Sequence, residues 1–214
     1  MQSIRSSFVR ALALLPVLAA SVPAQDPARE GEAPERWEFS ASLFYSDPPG
    51  SEDRLTPIVY ADRGPAHVEL RYNYEDLDTA ALFAGWNFDV GEELSAGITP
   101  MLGAVAGDTD GIAPALELDL GWRRLAWYTE AEYLFDLHDR DDDFFYSWST
   151  LTYGFTDWLS AGLVTERSKL VETDFSVQRG LALEFAYQRL GFALYAYNLG
   201  TDDSYAVVSL GLAP

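Results

Sequence analysis

The residues best placed to do chemistry are carboxylates spaced two apart. Glu117 and Asp119 stand in one alternating stretch, and Glu130 and Glu132 stand in the next. On a β-strand such pairs project from one face, so a hairpin of the two stretches would gather four acids on one side. Acids so gathered attract cations and repel anions. Paired carboxylates are also the equipment of glycoside hydrolysis. A second set, His67, Glu69, Arg71 and Asn73, repeats the two-residue spacing, and Glu166, Gln178 and Glu184 hold comparable positions later in the chain. A third set, Asp139, Asp141, Asp142 and Asp143, crowds the stretch DLHDRDDD. These are hard oxygen ligands of the kind calcium takes. Their spacing lacks the Gly and Glu positions of an EF-hand loop, so solvated loop acids are the plainer reading and loop-bound divalent cations the alternative.

Other chemistries find less support. There is no cysteine, which removes disulfides and thiolate metal sites. The two histidines are His67 and His138. A lipid-acting hydrolase would need Ser and His together on one wall, but His67 shares the parity of the acids and His138 sits in an acidic loop. No GxSxG elbow or HExxH pair occurs. No enzyme activity and no cofactor are expected. Acids outnumber bases 34 to 14, for a formal charge of −20. That balance excludes nucleic acid as a natural partner. Aromatic residues make up 14% of the chain, more than a disordered acidic protein carries.

The elements that position these residues follow period two, in segments of about ten residues. Twelve can be drawn, starting near Arg36 and ending near Leu212. In HVELRYNYEDLDTAALFAGWNFDV, His67, Glu69, Arg71 and Asn73 alternate with Val68, Leu70, Tyr72 and Tyr74, and Leu82, Ala84, Trp86 and Phe88 then share one parity. The second segment, Leu55 to Asp62, is the weakest, since Pro57 lies inside it. The eighth, from Phe144 to Phe155, is aromatic on both parities, so its faces cannot be assigned. Between segments, short turns such as Arg123-Arg124 and Gln188-Arg189 alternate with acidic loops: DPPGSEDR, EDLD, GDTDG, DLHDRDDD, VETD and GTDDS. Consecutive hairpins would put all six acidic loops at one end. That is an up-and-down antiparallel barrel.

The N-terminus carries Arg5 and Arg10 ahead of the apolar run ALALLPVLAASV, followed by Val22-Pro23-Ala24. This reads as a secretory signal over 1–24, then a flexible lead-in over 25–35 and a barrel over 36–214. Alternation alone does not say which face meets water. The signal, the ten-residue segments, the unequal loops and aromatics near segment ends favour a barrel in the bacterial outer membrane, apolar parity to lipid. Those aromatics are Trp37, Tyr45, Tyr74, Trp86, Phe88, Trp122, Trp127, Phe135, Phe155 and Trp158. The ending SYAVVSLGLAP lacks the terminal aromatic usual in such barrels.

The phrases LRYNYEDLDTAALFAGW, TPMLGAVAGDTDGIAP and FYSWSTLTYGFTDWLSAGL resemble an uncharacterised group of bacterial outer-membrane, porin-like barrels. The resemblance implies an all-β transmembrane barrel and an envelope location, with no catalytic residue and no solute. The expected lumen is lined by His67, Glu69, Arg71, Asn73, Glu117, Asp119, Glu130, Glu132, Glu166 and Glu184. The expected role is passive passage of small solutes, with cations favoured, and the expected partners are outer-membrane lipid and those solutes. Two alternatives stand beside it. One is a closed structural or lipid-binding barrel, its acids paired with Arg71, Arg123 or Arg167. The other is a lipid-acting hydrolase. Oligomeric state is not legible.

Overall fold

Alternating apolar residues and turn-forming breaks produce thirteen strand segments, described in a computed structural model over residues 36–91, 93–170 and 176–214. The expected signal peptide (1–24), the lead-in (25–35) and the VETD loop lie outside the described residues. The segments are β1 (Glu38–Ser46), β2 (Arg54–Arg63), β3 (Ala66–Tyr72), β4 (Ala80–Trp86), β5 (Phe88–Val90), β6 (Leu94–Ala106) and β7 (Gly111–Trp122). They continue with β8 (Leu125–Asp136), β9 (Phe144–Gly154), β10 (Leu159–Leu170), β11 (Ser176–Tyr187), β12 (Leu190–Tyr197) and β13 (Tyr205–Leu212). Consecutive segments pair antiparallel, except that β4 and β5 both pair with β6, and β13 pairs with β1, setting Ala41 against Leu212. The ring therefore closes, and closure leaves no exposed sheet edge.

Segments β4 and β5 are one stave, so the barrel has twelve. Both pair with β6 in a single register, Gly85 with Met101 and Phe88 with Ile98. That register sets Trp86 against Pro100, which has no N–H to give the ladder. The missing bond splits the stave at Asn87. Pro57 is accommodated differently. The pairing of β2 with β3 ends at Ile58 and Arg71, so Pro57 lies beyond the ladder on that side.

The alternation sorts cleanly into an outer and an inner wall. Leu43, Val59, Leu70, Leu82, Leu102, Leu163 and Leu210 are exposed on the outside. Trp37, Tyr45, Trp86, Phe88, Trp122, Trp127, Phe135, Phe155 and Trp158 are exposed too, and Tyr74 alone of the expected aromatics is buried. An outer surface this apolar is suited to lipid, not to water. Inside lie Ser42, Thr56, His67, Glu69, Arg71, Glu117, Glu130, Glu132, Thr150 and Glu184, all buried. The interior also holds large aromatics that the sequence did not assign there: Phe44, Tyr60, Trp148, Tyr195 and Tyr197. The ambiguous eighth segment, β9, turns Tyr146, Trp148, Thr150 and Thr152 inward and Phe145, Ser147, Ser149 and Leu151 outward.

At the tight-turn end, two-residue connections join β7 to β8 and β11 to β12. Arg123 and Gln188 take left-handed backbone there, at φ +54 and +53. In the wall itself, close approaches of backbone demand glycine, most tightly at Gly162. A Cβ on Gly162 of β10 would lie 1.9 Å from the Leu151 carbonyl oxygen of β9. Gly162→Ala is therefore expected to push these two strands apart. Heat-dependent gel migration of the folded barrel should show loss of the compact band well below the wild-type temperature; unchanged migration would mean that the wall relaxes without cost.

Candidate functional site

Strand β3 carries its inward residues His67, Glu69 and Arg71 at every second position, and each meets an ionisable partner. His67 places Nδ1 2.7 Å from Asp62 Oδ1 and Nε2 2.8 Å from Glu69 Oε1. Ionised carboxylates only accept, so the Asp62–His67–Glu69 unit needs protons on both ring nitrogens or on one of the acids. Asn87 donates to Asp62 at 2.9 Å and accepts from Thr99 at 2.7 Å, which ties the unit to β6.

Arg71 is the centre of the site. Its Nε donates to Glu69 Oε2 at 2.8 Å, and Nη2 lies 2.7 Å from the same oxygen. Its Nη1 donates to Glu132 Oε2 at 3.0 Å and lies 3.8 Å from Glu75 Oε1. Tyr74 and Phe83 flank the guanidinium, with ring centroids 4.5 and 4.2 Å away, an arrangement favoured by the ring quadrupoles. Around the ring, β3 and β8 are separated by β4, β6 and β7. The Arg71–Glu132 bond therefore crosses the lumen. A second crossing lies among the aromatics: Trp148 Nε1 of β9 donates to the Tyr197 hydroxyl of β12 at 2.7 Å. The Trp148 ring meets Tyr128 and Tyr195 edge-on at 5.8 and 5.2 Å.

The carboxylates outnumber the cations around this cluster. Glu117 stands directly opposite Glu130, Asp119 opposite Tyr128, and Ala115 opposite Glu132. Glu130 accepts from the Tyr74 and Tyr128 hydroxyls. Glu132 Oε1 and Glu75 Oε2 have no hydrogen-bond partner among the described residues. Burial pushes the Glu75 carboxyl up from its ordinary range, against the opposing pull of Arg71. Glu166, Gln178 and Glu184 lie on inward positions of β10 and β11, with Gln178 bonded to Asn198 and Ser176.

No family model and no curated protein matches the chain. Among solved structures, it is similar to the KdgM porin at a TM-score of 0.58 and 11% identity, over 82% of this chain and 99% of the porin. A second match is the KdgM porin in complex with disordered oligogalacturonate, at a TM-score of 0.56 and 10% identity, again over 82% and 99%. The fold is that of a porin.

Within this porin-like barrel, one expected lumen residue sits elsewhere. Asn73 does not line the lumen. It ends β3 in left-handed backbone, at φ +53, and its side chain closes the turn by bonding the Leu55 carbonyl and the Asp78 amide. That reversal swings Tyr74 inward from the lipid-facing parity it would otherwise keep. It also brings Glu75, an acid of the EDLD loop, back to Arg71. Nothing in the alternation announced either move; Asn at a strand end, which tolerates left-handed backbone, was the available signal. Asn73→Ala is expected to destabilise the barrel by about 1–2 kcal/mol through backbone strain and lost turn bonds. Asn73→Gly should retain more of the stability, and denaturant unfolding of the two variants in detergent compares them. Equal losses would show that backbone conformation is not the cause.

Arg123 and Arg167 do not reach the inner acids. Arg123 stacks on Trp122 at the turn end, 4.9 Å from its centroid, and Arg167 faces outward. In the DLHDRDDD loop, Asp139 caps the Asp141 amide of a short 3-10 turn (Arg140–Asp142), and Asp143 accepts from the Asp136 amide at 2.7 Å. Asp139 and Asp143 thus serve local backbone groups, and among the described residues no three His, Cys, Asp or Glu converge as a metal site. His67 engages two carboxylates, Asp62 and Glu69.

Proposed function

We propose that the protein is an outer-membrane channel of narrow bore for small cations, delivered by a cleaved signal over residues 1–24. The observation that carries this reading is the inner charge. Asp62, Glu69, Glu75, Glu117, Asp119, Glu130, Glu132, Glu166 and Glu184 share the interior with Arg71, His67 and Arg54, inside a wall whose outer face suits lipid. So large an excess of buried carboxylate is stable only if protons, water or cations offset it, and a ring of such acids favours cations over anions. The oligogalacturonate of the KdgM complex is an anion, and this interior would repel it. The Arg71–Glu132 bond bridges this lumen and narrows it. Purified protein in a planar bilayer is expected to give discrete, ohmic steps of small conductance.

A second reading has its own observation. Trp148, Tyr60, Tyr128, Tyr195 and Tyr197 fill the interior and are almost without exposure, as in small barrels packed by their own side chains. On this reading the barrel is structural. Bilayers that stay silent at every voltage, with protein demonstrably inserted, would favour it and overturn the channel.

A further inference from the structure

The outer wall is apolar on every stave except in one place. Among the described residues, the outward positions of β1 to β7, β12 and β13 are Leu, Val, Ile, Ala, Pro, Phe, Tyr or Trp, apart from Arg63 at a turn. On β8 to β11 the pattern breaks. Thr129 stands opposite Ser149, Ser149 opposite Thr165, and Thr165 opposite Arg179, so one row of polar side chains crosses four consecutive strands. Beside it, Ser147 stands opposite Arg167. Thr129 and Ser149 bond each other at 2.7 Å, and Thr129 also donates to the Trp148 carbonyl. Neither guanidinium has an acidic partner among the described residues.

The two arginines are diagonal neighbours on one face, Arg179 opposite Thr165 and Arg167 opposite Val177, with Cα atoms about 7–8 Å apart. Like charges so placed repel each other, and they face the lipid side of the wall. Both lie toward the acidic-loop end, Arg167 near the Leu170 end of β10 and Arg179 near the Ser176 start of β11. Charged residues on a lipid face are tolerated near the interface and costly at depth. An anion shared between the two guanidiniums removes their repulsion and uses their donors. A second copy of the chain does not fit: a two-fold contact through this patch would set arginine against arginine.

We propose that this patch binds the phosphate of a phosphorylated lipid headgroup in the leaflet on the loop side. The guanidiniums of Arg167 and Arg179 hold the phosphate, and the hydroxyl row of Thr165, Ser149 and Thr129 seats the polar part of the headgroup against the wall. The site is independent of whether the lumen conducts.

The test uses full-length protein in detergent, mixed with bis-phosphorylated lipid A and weighed by native mass spectrometry. Arg167→Gln/Arg179→Gln should retain the lipid at least about tenfold less well, as expected for losing charge-assisted hydrogen bonds. Arg167→Lys/Arg179→Lys should keep part of the binding, and heat-dependent gel migration should confirm that each variant is folded. Wild type should hold dephosphorylated lipid A no better than the Gln variant does, and millimolar inorganic phosphate should not displace the phosphorylated lipid. Equal retention by wild type and the Gln variant overturns the proposal. So does displacement by inorganic phosphate, which indicates a free-anion site, or a dimer that dissociates on Arg→Gln substitution, which makes the patch an interface between copies.

Discussion

Arg71→Ala is expected to cost the barrel about 3–5 kcal/mol, the range for stranding buried charges without their partner. Glu69, Glu75 and Glu132 all point at the guanidinium. Removing it leaves three acids facing one another and vacates the space between Tyr74 and Phe83. The triple variant Arg71→Ala/Glu69→Gln/Glu132→Gln should recover most of the loss, because its neutral amides no longer repel. Denaturant unfolding of the refolded protein in lipid or detergent measures both. If Arg71→Ala unfolds at the wild-type midpoint, the cross-lumen bond carries no weight in the fold. If the triple variant is no better than the single, the cost lies in lost packing and not in charge. In a bilayer, the folded triple variant should also conduct more than wild type, since the side chain that spans the lumen is gone.

Neutralising Glu117, Asp119, Glu130 and Glu132 together, as Gln, Asn, Gln and Gln, is expected to abolish the cation preference. Glu117 and Glu130 face each other directly, and Glu132 follows Glu130 on the same inward parity. Their combined field acts over distances shorter than the Debye length at 0.1 M salt, about 10 Å, so every permeating ion would pass within it. The readout is the reversal potential in a salt gradient, which should fall close to zero. A control variant neutralising Asp139, Asp141 and Asp142 in the exposed loop should leave it unchanged, because those residues are exposed at the loop end, away from the inner wall. An unchanged potential in the quadruple variant would remove these four residues from any selectivity role.

Most of the barrel is legible in the sequence, because a closed wall with two different solvents enforces strict alternation. The segment from Leu125 sorts Trp127 outward and Glu130 inward on parity alone, and β8 obeys it. The hairpin of Glu117 and Glu130 follows from the two-residue turn at Arg123-Arg124, which fixes register. What alternation cannot carry is contact across the lumen. Arg71 and Glu132 are brought together by closure of the ring, not by adjacency in the chain or in the sheet. Parity also fails at Asn73, where one left-handed residue moves Tyr74 and Glu75 inside. Inward aromatics such as Phe44 and Trp148 were hidden for another reason: Tyr, Trp and Phe suit a lipid interface and a packed interior equally, so their type does not reveal their side.

The most direct test of the channel is the wild-type reversal potential in a planar bilayer, with potassium chloride tenfold more concentrated on one side. A small cation-selective lumen predicts a potential that approaches the potassium Nernst value. A potential near zero, or one of the chloride sign, contradicts it.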